Sequence, residues 1–167
     1  ASTDAALGED LGKFYVAQYF AGDSKAKTLQ LVDQVEAAMR QDLQQLTWMS
    51  PGTKVKAEEK LSLFTNKIGY PEKWRDYSKL IIRPGDAMGN SLRARQFDYG
   101  YQLNKIGKPV DRSEWEMTPP TVNAYYDPNM NNINFPAGIL QPPFYDKAAG
   151  NATNFGQITG TQGNNAG

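Results

Sequence analysis

Val122-Asn123-Ala124-Tyr125-Tyr126, followed by Asn132-Ile133-Asn134-Phe135-Pro136-Ala137-Gly138-Ile139-Leu140-Gln141-Pro142-Pro143-Phe144, is the stretch that decides how this chain folds. Its first part alternates: Val122, Ala124 and Tyr126 share one face of an extended strand, and Thr121, Asn123 and Tyr125 share the other. Residues 132–135 alternate again. Residues 127–131 between them are turn chemistry, rich in Asp, Asn and Pro. The pattern predicts a β-hairpin, and Pro136 favours an edge or a strand end. An edge strand exposes backbone N–H and C=O groups to which an extended peptide can add as a further strand. Asn123 contributes a side-chain donor and acceptor there, and Ala124 is small enough to permit close approach.

Upstream, the spacing is helical. Val32, Val35, Met39, Leu43 and Leu46 recur at intervals of three and four, with Glu36 and Arg40 as an i,i+4 pair on the outer side. Leu11, Phe14, Tyr15 and Tyr19 predict a shorter helix before the break at residues 21–24, where Asp23 or Ser24 can cap the next one. Ser50-Pro51 is a start signal, a serine N-cap with proline at the first helical position, leading into Ala57, Leu61 and Phe64. Residues 65–70, stopped by Pro71, predict a strand, and residues 71–85 a loop anchored by Trp74 and Tyr77. Met88, Leu92, Tyr99, Leu103 and Ile106 predict a helix over 86–106 that starts at Asp86, ends at Gly107 and turns this apolar face to the core. Residues 146–167, rich in Gly, Asn, Ala, Thr and Gln, read alone as a flexible tail. The fold class is α+β, mainly helical, with several amphipathic helices and a small antiparallel sheet.

Composition narrows the chemistry. The 167 residues are enough for a domain with a real core. Eighteen basic and eighteen acidic residues balance and are scattered, which argues against nucleic acid as a partner. No apolar run approaches the ~20 residues of a bilayer span. There is no cysteine and no histidine. That removes thiolate nucleophiles, the Ser-His-Asp triad and any histidine-ligated zinc from within the sequence. Asp127, Asn129 and Asn131 open like a calcium loop, but Asn132 stands where glycine is needed and Gly138 where a bidentate glutamate belongs. Asp111, Glu114 and Glu116 around Trp115 read as loop carboxylates. No catalytic residue and no metal ligand is assigned.

Ordered matches carry a resemblance to the neprilysin-type (M13, PepO-like) metallopeptidases. They are residues 46–50 (LTWMS), 54–61 (KVKAEEKL), 67–71 (KIGYP), Trp115 and, most specifically, 123–144. The resemblance implies that residues 1–49 form a helical linker region, that 50–145 form part of a thermolysin-like catalytic domain with a substrate-binding edge hairpin, and that 146–167 stand in place of the zinc helix. It implies an inner strand at 68–70 beside the hairpin. It implies a zinc endopeptidase, secreted or periplasmic, that binds peptides by strand addition. Asn123 and Ala124 are then substrate-backbone residues and Tyr125 a subsite wall. The remainder of the catalytic domain is an implied partner. Asn154-Phe155-Gly156 matches the family's triplet ahead of His-Glu-x-x-His. Continued without a gap, Asn164 stands at the first histidine and Asn165 at the glutamate. Asparagine cannot accept a proton from zinc-bound water, so the chain alone is expected to be inactive. A non-enzymatic peptide-binding module and a structural domain whose partner covers the hairpin are the alternatives. In an isolated half-domain, Ile68, Val122 and Phe135 are expected to be exposed.

Overall fold

A computed structural model describes residues 3–20 and 22–163. Its centre is a three-stranded sheet of β1 (Thr65–Gly69), β2 (Tyr125–Asp127) and β3 (Asn132–Pro136), in the order β1-β3-β2. β2 runs antiparallel to β3, with Tyr125 opposite Asn134 and Asp127 opposite Asn132. β1 runs parallel to β3, from Thr65 opposite Asn132 to Gly69 opposite Pro136. The hairpin and the strand at 65–69 therefore form where the alternation placed them. Two details differ. The inner strand is β3, not the 68–70 segment, because β3 is the strand buried along most of its length and it continues into the buried run 137–140. The sheet is also mixed, and only Tyr125–Asp127 of the expected strand over 121–126 pairs with it.

One sheet face carries Ile68 and Phe135, each 2% exposed, and packs on Phe20, Leu31 and Val32. Burial of these side chains is the main stabilising term, worth roughly 1.5–3 kcal/mol for each large apolar group. It overturns the expectation that Ile68 and Phe135 are surface residues. Val122 alone of those three is exposed, at 64%. The helices below the sheet are α1 (Thr3–Tyr19), α2 (Ser24–Gln45) and α3 (Pro51–Ser62). α3 starts as its sequence dictates: the Ser50 hydroxyl accepts from the Thr53 amide at 3.2 Å, and Pro51 fills the first turn. Asp23 occupies the N-cap of α2 without a side-chain cap bond and pairs with Lys27 instead. Glu36 and Arg40 do not pair with each other. Arg40 reaches Glu58 on α3 at 2.6 Å, and Glu36 accepts from the Asn66 side chain at 2.7 Å. Tertiary partners won over the local pair.

α1 docks through two glycines as well as through Tyr15 and Val16, which pack against the core. Leu11, Phe14 and Tyr19 are exposed, whereas Gly8 and Gly12 are buried. A Cβ at Gly12 would stand 2.8 Å from the Pro119 ring, and one at Gly8 would stand 2.4 Å from the Thr118 methyl. This close approach seats the helix on the segment that leads into the hairpin.

α4 (Ala87–Leu103) is capped as expected, with the Asp86 carboxylate accepting from the Gly89 amide at 2.9 Å. Its apolar face is not core. Met88, Leu92, Tyr99, Leu103 and Ile106 are all exposed, and α4 instead turns Ala94 and Phe97 inward, with Phe97 stacked on Tyr77. The loop anchors are as expected: Trp74 stacks on Tyr70 at 5.8 Å. The flexible-tail reading fails for residues 151–163, which form α5 (Asn151–Gly163). Asn154, 4% exposed, fixes its start by accepting from the Asp146 amide at 3.0 Å and donating to the Asp146 carbonyl at 2.9 Å. The two positions compared with the family's histidine and glutamate, Asn164 and Asn165, lie outside the described residues.

Candidate functional site

Residues 119–127 form a segment that enters the sheet from its rim. The Gly138 amide donates to the Pro119 carbonyl at 2.8 Å, and a Cβ at Gly138 would meet the Pro120 and Thr121 backbone within 2.6 Å. Only a residue without a side chain lets the two backbones sit this close. The segment is thereby held from below as it runs towards β2.

Asn123 is exposed, and its Oδ1 accepts from the Ala124 amide at 2.8 Å. This contact fixes the side chain and leaves the amide NH2 as its outward donor. Ala124 is 5% exposed, its methyl belongs to the core and its amide is taken by Asn123 Oδ1, so only its carbonyl is left to a ligand. Tyr125 is half-buried, and its hydroxyl accepts from the Glu116 amide at 2.8 Å. Burial, with the Glu116 charge adding to it, pushes the phenol up to about 12. The ring is thus tied to the 111–118 loop. Asn123, Ala124 and Tyr125 are contiguous, but only Asn123 presents a free side-chain group outward. Among the described residues, β2 pairs on one side only, with β3.

The sheet face opposite the apolar core is polar, which alternation alone did not reveal. By register Lys67, Asn132, Asn134, Tyr125 and Asp127 share it. Lys67, 8% exposed, donates to the Glu114 carbonyl at 2.7 Å, and Asn134, fully buried, donates to Asn132 Oδ1 at 2.6 Å. Burial pushes the Lys67 ammonium below its ordinary value, opposed by Asp127, Asp111, Glu114 and Glu116 around it. The acidic cluster at 111–116 is therefore a lid over a buried lysine. Glu114 also pairs with Lys105, and Asp111 accepts from the Ser113 amide and hydroxyl. The calcium-like run is a turn: Asp127 Oδ1 accepts from the Asn129 and Met130 amides, and Asn131 adopts φ 51°.

Comparisons with known proteins meet this geometry. Two sequence profiles of peptidase family M13 match, the N-terminal one over residues 1–71 and the peptidase one over residues 123–165. The chain belongs to peptidase family M13. It is 36% identical to an endothelin-converting enzyme homolog of Locusta migratoria over 93% of this chain, and 38% identical to neprilysin of Mus musculus over 89%. It spans 22% and 21% of the length of those two relatives. Among solved structures, it superposes on the zinc metalloprotease ZMP1 of Mycobacterium tuberculosis in complex with inhibitor. The TM-score is 0.84 at 48% identity, covering 93% of this chain and 23% of that one. On PEPO from Lactobacillus rhamnosis the TM-score is 0.82 at 37% identity, covering 89% and 24%. M13 membership makes zinc the family's metal. The donor set of this chain does not fit that ion: it has no histidine or cysteine, and the described residues bring no three acidic side chains together. No helix among the described residues is long and apolar enough to cross a membrane.

Proposed function

We propose that this chain is a portion of an M13-type zinc endopeptidase, and that it aligns peptide substrate along the free edge of β2 while the zinc chemistry resides elsewhere in the full protein. The observation that carries the reading is the segment 123–127: β2 is paired on one side only, and Asn123 holds its side-chain NH2 outward beside it. Strand addition supplies main-chain hydrogen bonds that tolerate many sequences, as an endopeptidase requires. Asn123 would donate to a peptide carbonyl, the Ala124 carbonyl would accept from a peptide amide, and Tyr125 would wall a subsite. In this reading the remainder of the catalytic domain is the partner, and family membership supports a secreted or periplasmic setting. A second reading is a non-enzymatic peptide-binding module that uses the same edge and the same Asn123 side chain.

The test is binding of an unstructured, uncharged decapeptide to the 167-residue chain, followed by titration calorimetry. Asn123→Ala should weaken it about fivefold, the equivalent of one hydrogen bond near 1 kcal/mol. Unchanged affinity would remove Asn123 from the site. Both readings expect no cleavage by this chain with zinc added. Chelator-sensitive cleavage would overturn the assignment of zinc chemistry to another part of the protein.

A further inference from the structure

Beyond the hairpin turn lies a hollow of about 630 Å3 between the C-terminal half of α3 and the 111–118 loop. Its charged lining is Lys56, Lys60 and Arg112 against a single carboxylate, Glu59. Glu59 pairs with Lys56 at 2.7 Å, so that charge is cancelled locally. Lys60 and Arg112 are paired with no carboxylate among the described residues. The Lys60 ammonium stands 5.7 Å from the centre of the Tyr126 ring, and an Arg112 Nη reaches only the Met130 carbonyl at 3.5 Å. The strand carboxylate of Asp127 does not line the hollow, and it accepts from the turn amides of Asn129 and Met130. The hollow is therefore biased positive, with Leu63 as an apolar wall beside the cationic heads.

Its position relative to β2 gives this bias a use. Pro128 and Asn129, the residues that directly follow β2, line the hollow. A peptide strand on the β2 edge advances about 3.3 Å per residue, so one or two residues past Asp127 it would run beside Pro128 and Asn129, which share this hollow with Lys60 and Arg112. We propose that this hollow is a subsite for an acidic side chain, so that the peptides this edge prefers carry Asp or Glu at one position beyond the stretch that pairs with β2. The inference rests on the strand-addition reading above. Arg112 can meet a carboxylate with a two-pronged fork, and Lys60 adds a second charge from the other side.

The test uses decapeptides identical except for a single Glu or Gln, moved one position at a time along the peptide, with affinity for the 167-residue chain read by fluorescence anisotropy. At one or two adjacent positions the Glu peptide should bind about tenfold tighter than its Gln partner, as a charged hydrogen bond predicts, and added salt should shrink that ratio. In a K60E/R112E chain with an unaltered circular-dichroism spectrum, the ratio should fall to one or below. A ratio of one at every position in the unmodified chain, or a ratio that survives K60E/R112E, overturns the acidic subsite and leaves strand addition standing. Binding of neither peptide series overturns both.

Discussion

Replacing Gly12 by alanine sets two effects of known sign against each other. In an open helical position the change is favourable by about 0.8–1 kcal/mol, because alanine loses less backbone entropy on folding. Gly100 in α4 is such a position, with nothing within 4 Å of an added Cβ. At Gly12 the new methyl lands 2.8 Å from two carbons of the Pro119 ring, well inside ordinary contact, and that ring is fixed to the backbone. Overpacking of this kind costs about 1–3 kcal/mol. Gly100→Ala should therefore stabilise by up to ~1 kcal/mol, while Gly12→Ala should be neutral to about 2 kcal/mol destabilised. With a urea slope of ~1–3 kcal/mol/M the two midpoints should separate by about 1 M. Equilibrium urea unfolding followed by far-UV circular dichroism measures both. If Gly12→Ala raises the midpoint as Gly100→Ala does, α1 is not seated on Pro119, and the account of how this helix supports the approach to the hairpin is wrong.

Other expectations concern the ionisable face and the caps. An unfolded tyrosine releases its proton near pH 10, whereas folded Tyr125 holds it to about 12. Between those values the folded state binds more protons, so this contribution is complete below pH 10 and is lost as pH rises through the window. Tyr15, Tyr77 and Tyr101 are also raised by burial and act with the same sign; Lys67, shifted down from its ordinary value, acts against them. Urea midpoints at pH 9 and 11.5 should show a smaller drop in Tyr125→Phe than in the parent, and a spectroscopic titration with every tyrosine ionising near pH 10 would contradict the buried phenol. Ser50→Ala should cost about 1 kcal/mol by removing the cap of α3, while Asp23→Ala should cost less, since Asp23 makes no cap bond to α2; thermal melts that rank the two in the opposite order would refute the cap assignment.

The sequence was most legible where local chemistry and tertiary environment agree. Ser50-Pro51 and Asp86 mark helix starts by groups that satisfy their own first-turn amides, so no distant partner is needed to read them. The alternation of residues 132–135 located β3, and Pro136 its end. Where reading failed, the deciding partner lay far along the chain. The spacing of Met88, Leu92, Tyr99, Leu103 and Ile106 shows that α4 is two-faced, but not which face meets the remaining elements. α5 looked too polar to order, because its anchor is a pair of Asn154 bonds to the Asp146 backbone rather than an apolar stripe. At the candidate site, Asn123 was readable as an outward polar group. The core position of the Ala124 methyl and the tether on the Tyr125 hydroxyl depended on residues 137–140 and the 111–118 loop, which no local pattern displays.

The parallel pairing of β1 with β3 has a consequence for how this architecture tolerates change. The two strands are neighbours in the sheet, yet residues 70–131 lie between them, including all of α4. Their register is fixed by Ile68 and Phe135 in the core and not by the length of that excursion. Closing a chain loop becomes costlier only with the logarithm of its length, by about 0.6 kcal/mol for each doubling. Insertions or deletions in the excursion should therefore cost the sheet little, provided that Thr118 and Pro119 still meet α1 and the β2 segment still arrives beside β3. Between those fixed points the excursion is free to diverge in length while β2 keeps its place beside β3.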